Sequence, residues 1–115
     1  MKRGDVYWVD LAPRSGSEQT GRRPAIVISH DGFNQTAGWN SVIVVPISTS
    51  SSQGRRGPTV IELEAGTAGL VKTSFAVCHQ VTTVDRAKLT KRVGSLSAAS
   101  LREVDDGLKA ALDLD

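Results

Sequence analysis

Residues 16–24 read GSEQTGRRP, and the apolar run AIVIS follows directly. Nine positions hold a carboxylate, Glu18, two adjacent guanidinium groups, Arg22 and Arg23, and a proline. A hairpin connection needs only glycine and small polar residues, so the two arginines exceed what the turn demands. Guanidinium forks match phosphate oxygens in charge and geometry. A second cationic pair, Arg55 and Arg56, stands in TSSSQGRRGP, and the hydroxyls of Ser48 and Thr49 close the run VVPISTS. Arginines, a carboxylate and a hydroxyl suit electrostatic stabilisation of charge developing on a phosphate, with no bound metal required.

Other chemistries find less support. Paired histidines are the familiar acid and base near neutral pH. His30 ends a strand pattern, and His79 sits inside another beside Cys78, so strand alternation sends the Cys78 and His79 side chains to opposite faces. A structural role is the expectation for His79, and a surface role for His30. Asp5, Asp10, Glu62 and Glu64 alternate with apolar neighbours, which predicts solvent faces rather than a metal set. There is no G-x-x-x-x-G-K-[ST] phosphate loop and no G-x-S-x-G elbow. Cys78 is the only cysteine, so no internal disulfide is possible and no zinc ligand set is expected. No cofactor is expected.

The groups at 16–24 and 48–56 need a scaffold, and the pattern around them is that of short strands. DVYWVDL (5–11), AIVIS (25–29), VIVVPI (42–47), TVIELE (59–64) and LVKTSFAVCHQV (70–81) are Val/Ile-rich and bounded by glycine and proline. Pro46 predicts that its strand ends, bulges or reaches an edge there. VDRAKL (84–89) predicts one helical turn capped by Asp85. From Ser97 the period changes: Leu101, Val104, Leu108, Ala111 and Leu112 fall at helical spacing, with Ser97 as N-cap and Ser100/Glu103 as a competing capping box. Gly107 costs that helix about 1 kcal/mol relative to alanine, which packing must offset. The expected architecture is mainly β with a C-terminal α-helix, a small barrel formed by residues 1–115 as one domain.

The length of 115 residues allows one modest core. No apolar run approaches the ~18 residues of a membrane span, and the N-terminus MKRGDVYW lacks the apolar core of a secretory signal, so the expected location is the cytoplasm. The net charge of +2 conceals an asymmetry. Residues 1–96 carry 12 basic and 7 acidic side chains, whereas 97–115 carry 2 and 5. A basic body favours polyanions. If the connections 12–24 and 49–58 leave the same end of the barrel, Arg14, Arg22, Arg23, Arg55 and Arg56 line one cationic cleft against the single acid Glu18. RNA carries its own nucleophile, the 2′-hydroxyl, so a protein that bends the backbone and stabilises the phosphorane suffices to cut it.

The successive motifs RGDVYWVDL, GSEQTGRRPAIVIS, VVPISTS and FAVCHQVTTVDRAKL resemble, in order and over nearly the whole chain, those of the MazF/PemK family of toxin endoribonucleases. G-S-E-Q-x-G-x-R-P before an apolar strand is a long and specific pattern. The resemblance implies an SH3-like barrel with a C-terminal helix, a homodimer, metal-independent cleavage of single-stranded RNA at a short sequence, and inhibition by a cognate antitoxin. It makes Arg23, directly before the proline, the main catalytic residue, with Arg22 an auxiliary phosphate contact and Glu18 a base or an orienter of Arg23. Ser48 stands where many relatives carry threonine and Thr49 supplies a threonine one residue later, so both are candidate catalytic hydroxyls. Ser17, Gln19, Arg55, Arg56 and Gln80 complete the implied RNA contacts. The implied products are a 2′,3′-cyclic phosphate and a 5′-hydroxyl. Phe33 and Trp39, in the connection 30–41, are lid candidates or caps of the core.

A second reading of the same barrel is a non-catalytic toxin. The gyrase-poisoning CcdB proteins resemble it without RNA chemistry, and a small barrel also serves as a protein-binding module. The GSEQ…RRP cluster separates the two in favour of the nuclease.

Overall fold

The computed structural model describes residues 1–11, 16, 18, 20–55 and 57–115. Its elements run β1 (Asp5–Asp10), β2 (Arg22–Val27), α1 (Asp31–Asn34), β3 (Ser41–Ser48), β4 (Val60–Leu63), β5 (Ser74–Val77), β6 (Thr82–Asp85), β7 (Leu89–Ser95) and α2 (Ala98–Leu112). All pairings are antiparallel, in the order β4-β5-β3-β2-β1-β7, with β6 joining β3 off that path. Among the described residues no pairing joins β4 to β7, so the sheet curls into a barrel-like form without hydrogen-bonded closure.

β3 is the centre of this arrangement because it is apolar on both faces. Val45 and Ile47 enter one core with Val6, Ile26 and, from α2, Val104 and Leu108. Val42 and Val44 enter a second core with Val9, Ala25, Val27 and Val84. Each fully buried aliphatic side chain contributes about 1.5–3 kcal/mol. On one side β3 pairs with β2 through Val44–Pro46. On the other it pairs with β6 through Ser41–Val44 and then with β5 at Ile47 and Ser48. Pro46 does not end the strand. It falls where the neighbour changes from β6 to β5, a place that does not need its missing N–H.

Two strands beyond the expected five, β6 and β7, continue the sheet through polar sequence. The turn expected within 84–89 forms at Arg86–Lys88, with the Asp85 side chain accepting from the Ala87 amide at 2.9 Å. The long pattern 70–81 is a strand only at Ser74–Val77. Cys78–Gln80 form a 3-10 turn, so His79 is not a strand residue; it is exposed, its Nδ1 2.9 Å from the Thr59 hydroxyl, while Cys78 is buried. Burial, reinforced by the Asp105 charge, pushes the Cys78 thiol up to about 12.

α2 starts as its sequence predicts, with the Ser97 hydroxyl accepting from the Ser100 amide at 3.1 Å, and the alternative cap at Ser100 is not used. Leu101, Val104 and Leu108 pack on the first core, whereas Leu112 stays half exposed. Gly107 is explained by close packing: a Cβ there would stand 2.7 Å from Cys78 Sγ and 3.0 Å from Ile61 Cγ1.

The N-terminus is stapled by charge. Arg3 reaches Asp105 of α2 at 2.5 Å and the Ile28 carbonyl at 2.8 Å, and its amide donates to Asp31 at 2.6 Å. Asp5, expected on a solvent face, is buried, and its carboxylate accepts from the Lys2 amide at 2.9 Å and from the Ser95 hydroxyl. Burial raises the Asp5 carboxyl, but the bonds from Ser95 and Lys2 and the charge of Arg92 outweigh it and hold the group below the ordinary carboxylate range. The Arg3 amide and Asn34 lower Asp31 in the same direction.

Two predictions follow from this packing. A Cβ at Gly94 would lie 2.2 Å from the Ala68 carbonyl oxygen, so Gly94→Ala is expected to lower the urea-unfolding free energy by about 1–3 kcal/mol. An unchanged midpoint refutes that contact. Because the native Asp5 and Asp31 carboxyls titrate below their unfolded value, their stabilisation is complete above it and is lost as the pH falls through the lowered native values. The urea midpoint is therefore expected to drop steeply below about pH 4, and less steeply in Asp5→Asn; equal slopes in both proteins count against the staple.

Candidate functional site

Register decides which residues meet. β2 and β3 pair as Ala25–Pro46, Ile26–Val45 and Val27–Val44. Carried two residues further, the same register sets Arg23 across from Ser48 and Arg22 across from Thr49. Residues directly opposite share a face. The start of β2 thus meets the end of β3, and the connections 11–21 and 49–59 leave the same end of the barrel, as a shared cationic cleft requires. The connection 28–40 leaves the other end.

Arg23 is half-buried at the mouth of β2, opposite Val9 of β1. Its Nε donates to the Thr20 carbonyl at 2.7 Å, which holds the base of the guanidinium. Arg22 faces the other side of the strand, exposed, with its guanidinium carbon 4.6 Å from the centroid of the Trp8 ring. Such cation–π contacts contribute about 0.5–1 kcal/mol at exposed sites. Glu18 is exposed in the same connection.

The two hydroxyls separate. Ser48 is only 3% exposed, and its Oγ accepts from the Ser50 amide at 3.1 Å, an orientation that leaves its own proton to donate. Thr49 is exposed and lies on the opposite face, in the wall of an apolar cavity with Trp8 and Pro24. Beyond them, Ser51–Arg55 form a 3-10 turn in which Arg55 is exposed and Gln53 is buried. The Gln53 Oε1 has no hydrogen-bond partner among the described residues, a cost of about 1–3 kcal/mol.

The cavity measures about 310 Å³. Its far wall is the segment Gly69–Lys72 together with Ser74 and Val93. Neither Trp8, Val71 nor Lys72 is conspicuous in the sequence, because residues 70–81 have the pattern of one strand and Trp8 meets Arg22 and Pro24 only once β1 and β2 are in register. The one available signal is the alternation in DVYWVDL, which sets Trp8 on a different face from Tyr7 and Val9.

Other expected site residues lie apart. Gln80 is half-buried on the turn between β5 and β6, beside the middle of β3 rather than at the Arg23–Ser48 end. Phe33 and Trp39 neither cover that end nor cap the core. They stack on each other at 4.8 Å at the far end of the β2–β3 hairpin, 48% and 43% exposed. Arg86 fixes this pair by donating to the carbonyls of Trp39 at 3.0 Å and Phe33 at 3.4 Å. His30 caps α1, its Nδ1 accepting from the Gly32 amide at 2.8 Å. Arg14, Ser17, Gln19 and Arg56 lie outside the described residues. Among the described residues no three His, Cys, Asp or Glu side chains gather as a metal set, and no helix is long and apolar enough to cross a membrane.

The same architecture occurs in solved toxin structures. MazF from Deinococcus radiodurans superimposes with a TM-score of 0.81 at 24% identity, covering 99% of this chain and 97% of that one. An endoribonuclease in complex with its cognate antitoxin, from mycobacterial species, does so at 0.79 and 24%, covering 100% and 97%. The fold is therefore that of the MazF-like toxins. In sequence, the chain is similar to endoribonuclease MazF9 of Mycobacterium tuberculosis, 38% identical over 99% of this chain and 98% of that protein. The model of the PemK-like, MazF-like toxins of type II toxin–antitoxin systems matches residues 2–112, and this chain belongs to that family.

Proposed function

We propose that residues 1–115 act as one toxin unit, a sequence-specific, metal-independent endoribonuclease that cuts single-stranded RNA in the cytoplasm. Family membership and the endoribonuclease name of a relative at 38% identity support the activity. The observation that supports the mechanism is the β2–β3 register, which, continued two residues past Ala25–Pro46, sets Arg23 across from Ser48 at the end where both basic connections emerge.

In this reading the ribose 2′-hydroxyl attacks its own 3′-phosphate, and the 5′-oxygen of the next nucleotide leaves. The products are a 2′,3′-cyclic phosphate and a 5′-hydroxyl. The part of Arg23 is to bind the equatorial oxygens through its guanidinium N–H donors as charge accumulates on them. Ser48, oriented by the Ser50 amide, donates toward the same phosphate. Glu18 accepts the 2′-hydroxyl proton, and a proton from water or a neighbouring side chain reaches the 5′-oxygen. Arg22 and Arg55 contact flanking phosphates, which gives binding but little sequence preference. Ser17, Gln19, Arg56 and Gln80 extend the RNA contacts. The active molecule is a homodimer. It is restrained by an antitoxin whose acidic segment lies across the cationic end, in keeping with the toxin–antitoxin family and the antitoxin complex of a structural neighbour.

Arg23→Ala is expected to lose at least ~10³-fold in the rate of RNA cutting in EDTA while melting like the parent protein. Activity within tenfold of the parent overturns the mechanism. Deoxyribose at the cut site should block cleavage in the parent, since the nucleophile is then missing; continued cutting of that strand points to a hydrolytic route instead. Ser48→Ala should slow the chemical step more than Thr49→Ala does, and the reverse order transfers the role to Thr49.

A further inference from the structure

We propose that the apolar cavity between Trp8 and Val71 receives the nucleobase adjoining the cleaved linkage, which makes Val71 and Trp8 specificity residues. This inference rests on the endoribonuclease reading above. Position is the first ground. Pro24 follows Arg23 in the chain and Thr49 follows Ser48, and both line the cavity, so it opens one residue away from each member of the catalytic pair on the other face of the hairpin. Cavity and Arg23 thus share one end of the hairpin on its two faces, so an RNA strand held there by Arg23 reaches the cavity by passing around the strand end.

Chemistry is the second ground. The cavity offers an indole face and the branched side chains of Val71 and Val93, with a few polar groups at its edges: the hydroxyls of Thr49 and Ser74 and the Lys72 ammonium. Ligand sites combine an apolar lining with a few placed polar groups in this way, and about 310 Å³ lies at the lower end of their range. Bases of single-stranded RNA stack on aromatic rings and are read on their exposed edges. The Arg22 guanidinium, 4.6 Å from the Trp8 centroid, fixes the ring and brings a phosphate-binding charge to the same spot.

Pre-organisation is the third ground. Val71 is 90% exposed, an apolar side chain that adds nothing to the core, yet its loop is rigidly built. Its neighbour Leu70 is buried, the Gly66 amide donates to the Leu70 carbonyl at 2.7 Å, and Ala68 is held in the left-handed region at φ 52°. Gly69 and Gly94 let this loop lie backbone to backbone on β7, since a Cβ at Gly69 would stand 2.5 Å from the Val93 carbonyl oxygen. Backbone held in a sparsely populated region by its surroundings is a mark of functional sites. An apolar side chain of a partner protein would fit the same walls, but the cation beside the ring and the adjoining Arg23–Ser48 end favour a base with its phosphate.

The test uses the full chain and an RNA with a single cut site, in which an abasic nucleotide is walked through the positions flanking the cut. In the parent protein one adjoining position should raise KM about tenfold or more when abasic, with kcat nearly unchanged. Val71→Trp, at an exposed position where folding is not at risk, fills the cavity. It should show that raised KM on intact RNA and no further loss on the abasic strand. The inference is overturned if Val71→Trp cuts like the parent, or if it retains the full abasic effect. It is likewise overturned if Val71→Trp leaves RNA cutting unchanged and weakens only inhibition by the antitoxin, which assigns the cavity to the partner protein. If the parent does not cut RNA, or if Arg23→Ala cuts it as well as the parent, the endoribonuclease reading itself fails; a parent that cuts through Arg23 but ignores Val71→Trp removes the base site alone.

Discussion

The structure depends on β3 being apolar on both faces while serving three neighbours. Val42, Val44, Val45 and Ile47 are all buried, in two separate cores, so the strand cannot slide by one residue without moving each side chain into the wrong core. That lock on register extends to the polar end of the strand. Continued two residues past Ala25–Pro46, the register that sets Val44 against Val27 and Val45 against Ile26 brings Ser48 across from Arg23, the pair on which the proposed site is built. The site therefore inherits its precision from the core. Pro46 adds to this by marking the point at which β6 gives way to β5, which brings the Ser74 end of β5 alongside Ser48 and encloses the cavity next to it.

Much of this was legible in the chain itself. The Val/Ile-rich runs 5–11, 25–29, 42–47 and 59–64 each overlap a strand, and the 3.6-residue period after Ser97 marks α2, of whose two candidate caps Ser97 is the one used. β6 and β7 were not legible, because TTVD and LTKRVGS present mostly exposed polar side chains and lie in the sheet through backbone pairing with β3 and β1. His79 was misplaced since Phe75–Cys78 carry strand propensity, while the 3-10 turn that begins at Cys78 depends on tertiary packing against α2 and β3. At the site, residue types singled out Arg22, Arg23, Ser48 and Thr49. Their partition between two faces required the β2–β3 register, which no local pattern encodes. Trp8 and Val71 are joined only by tertiary contact, and Phe33 and Trp39 proved to be an exposed stack at the opposite end because the hairpin, not their aromaticity, fixes where they stand.

Charge follows the same division of labour. Basic residues gather where β2 begins and β3 ends, whereas α2 carries Asp105, which is drawn into the Arg3 staple that ties the N-terminus to the helix and to α1. The acidic C-terminal segment is thus partly neutralised by structure, while at the other end Arg22 lies opposite Asp10.

Cys78 shows what this economy of packing does to reactivity. Its sulfur lies beneath the helix glycine at 107 and within 3.6 Å of the Val104 carbonyl, and a thiol pushed up to about 12 is almost wholly protonated at cellular pH. Nucleophilicity and oxidation both require the thiolate. The molecule's single sulfhydryl therefore serves as a packing group beneath the helix rather than as a reactive one.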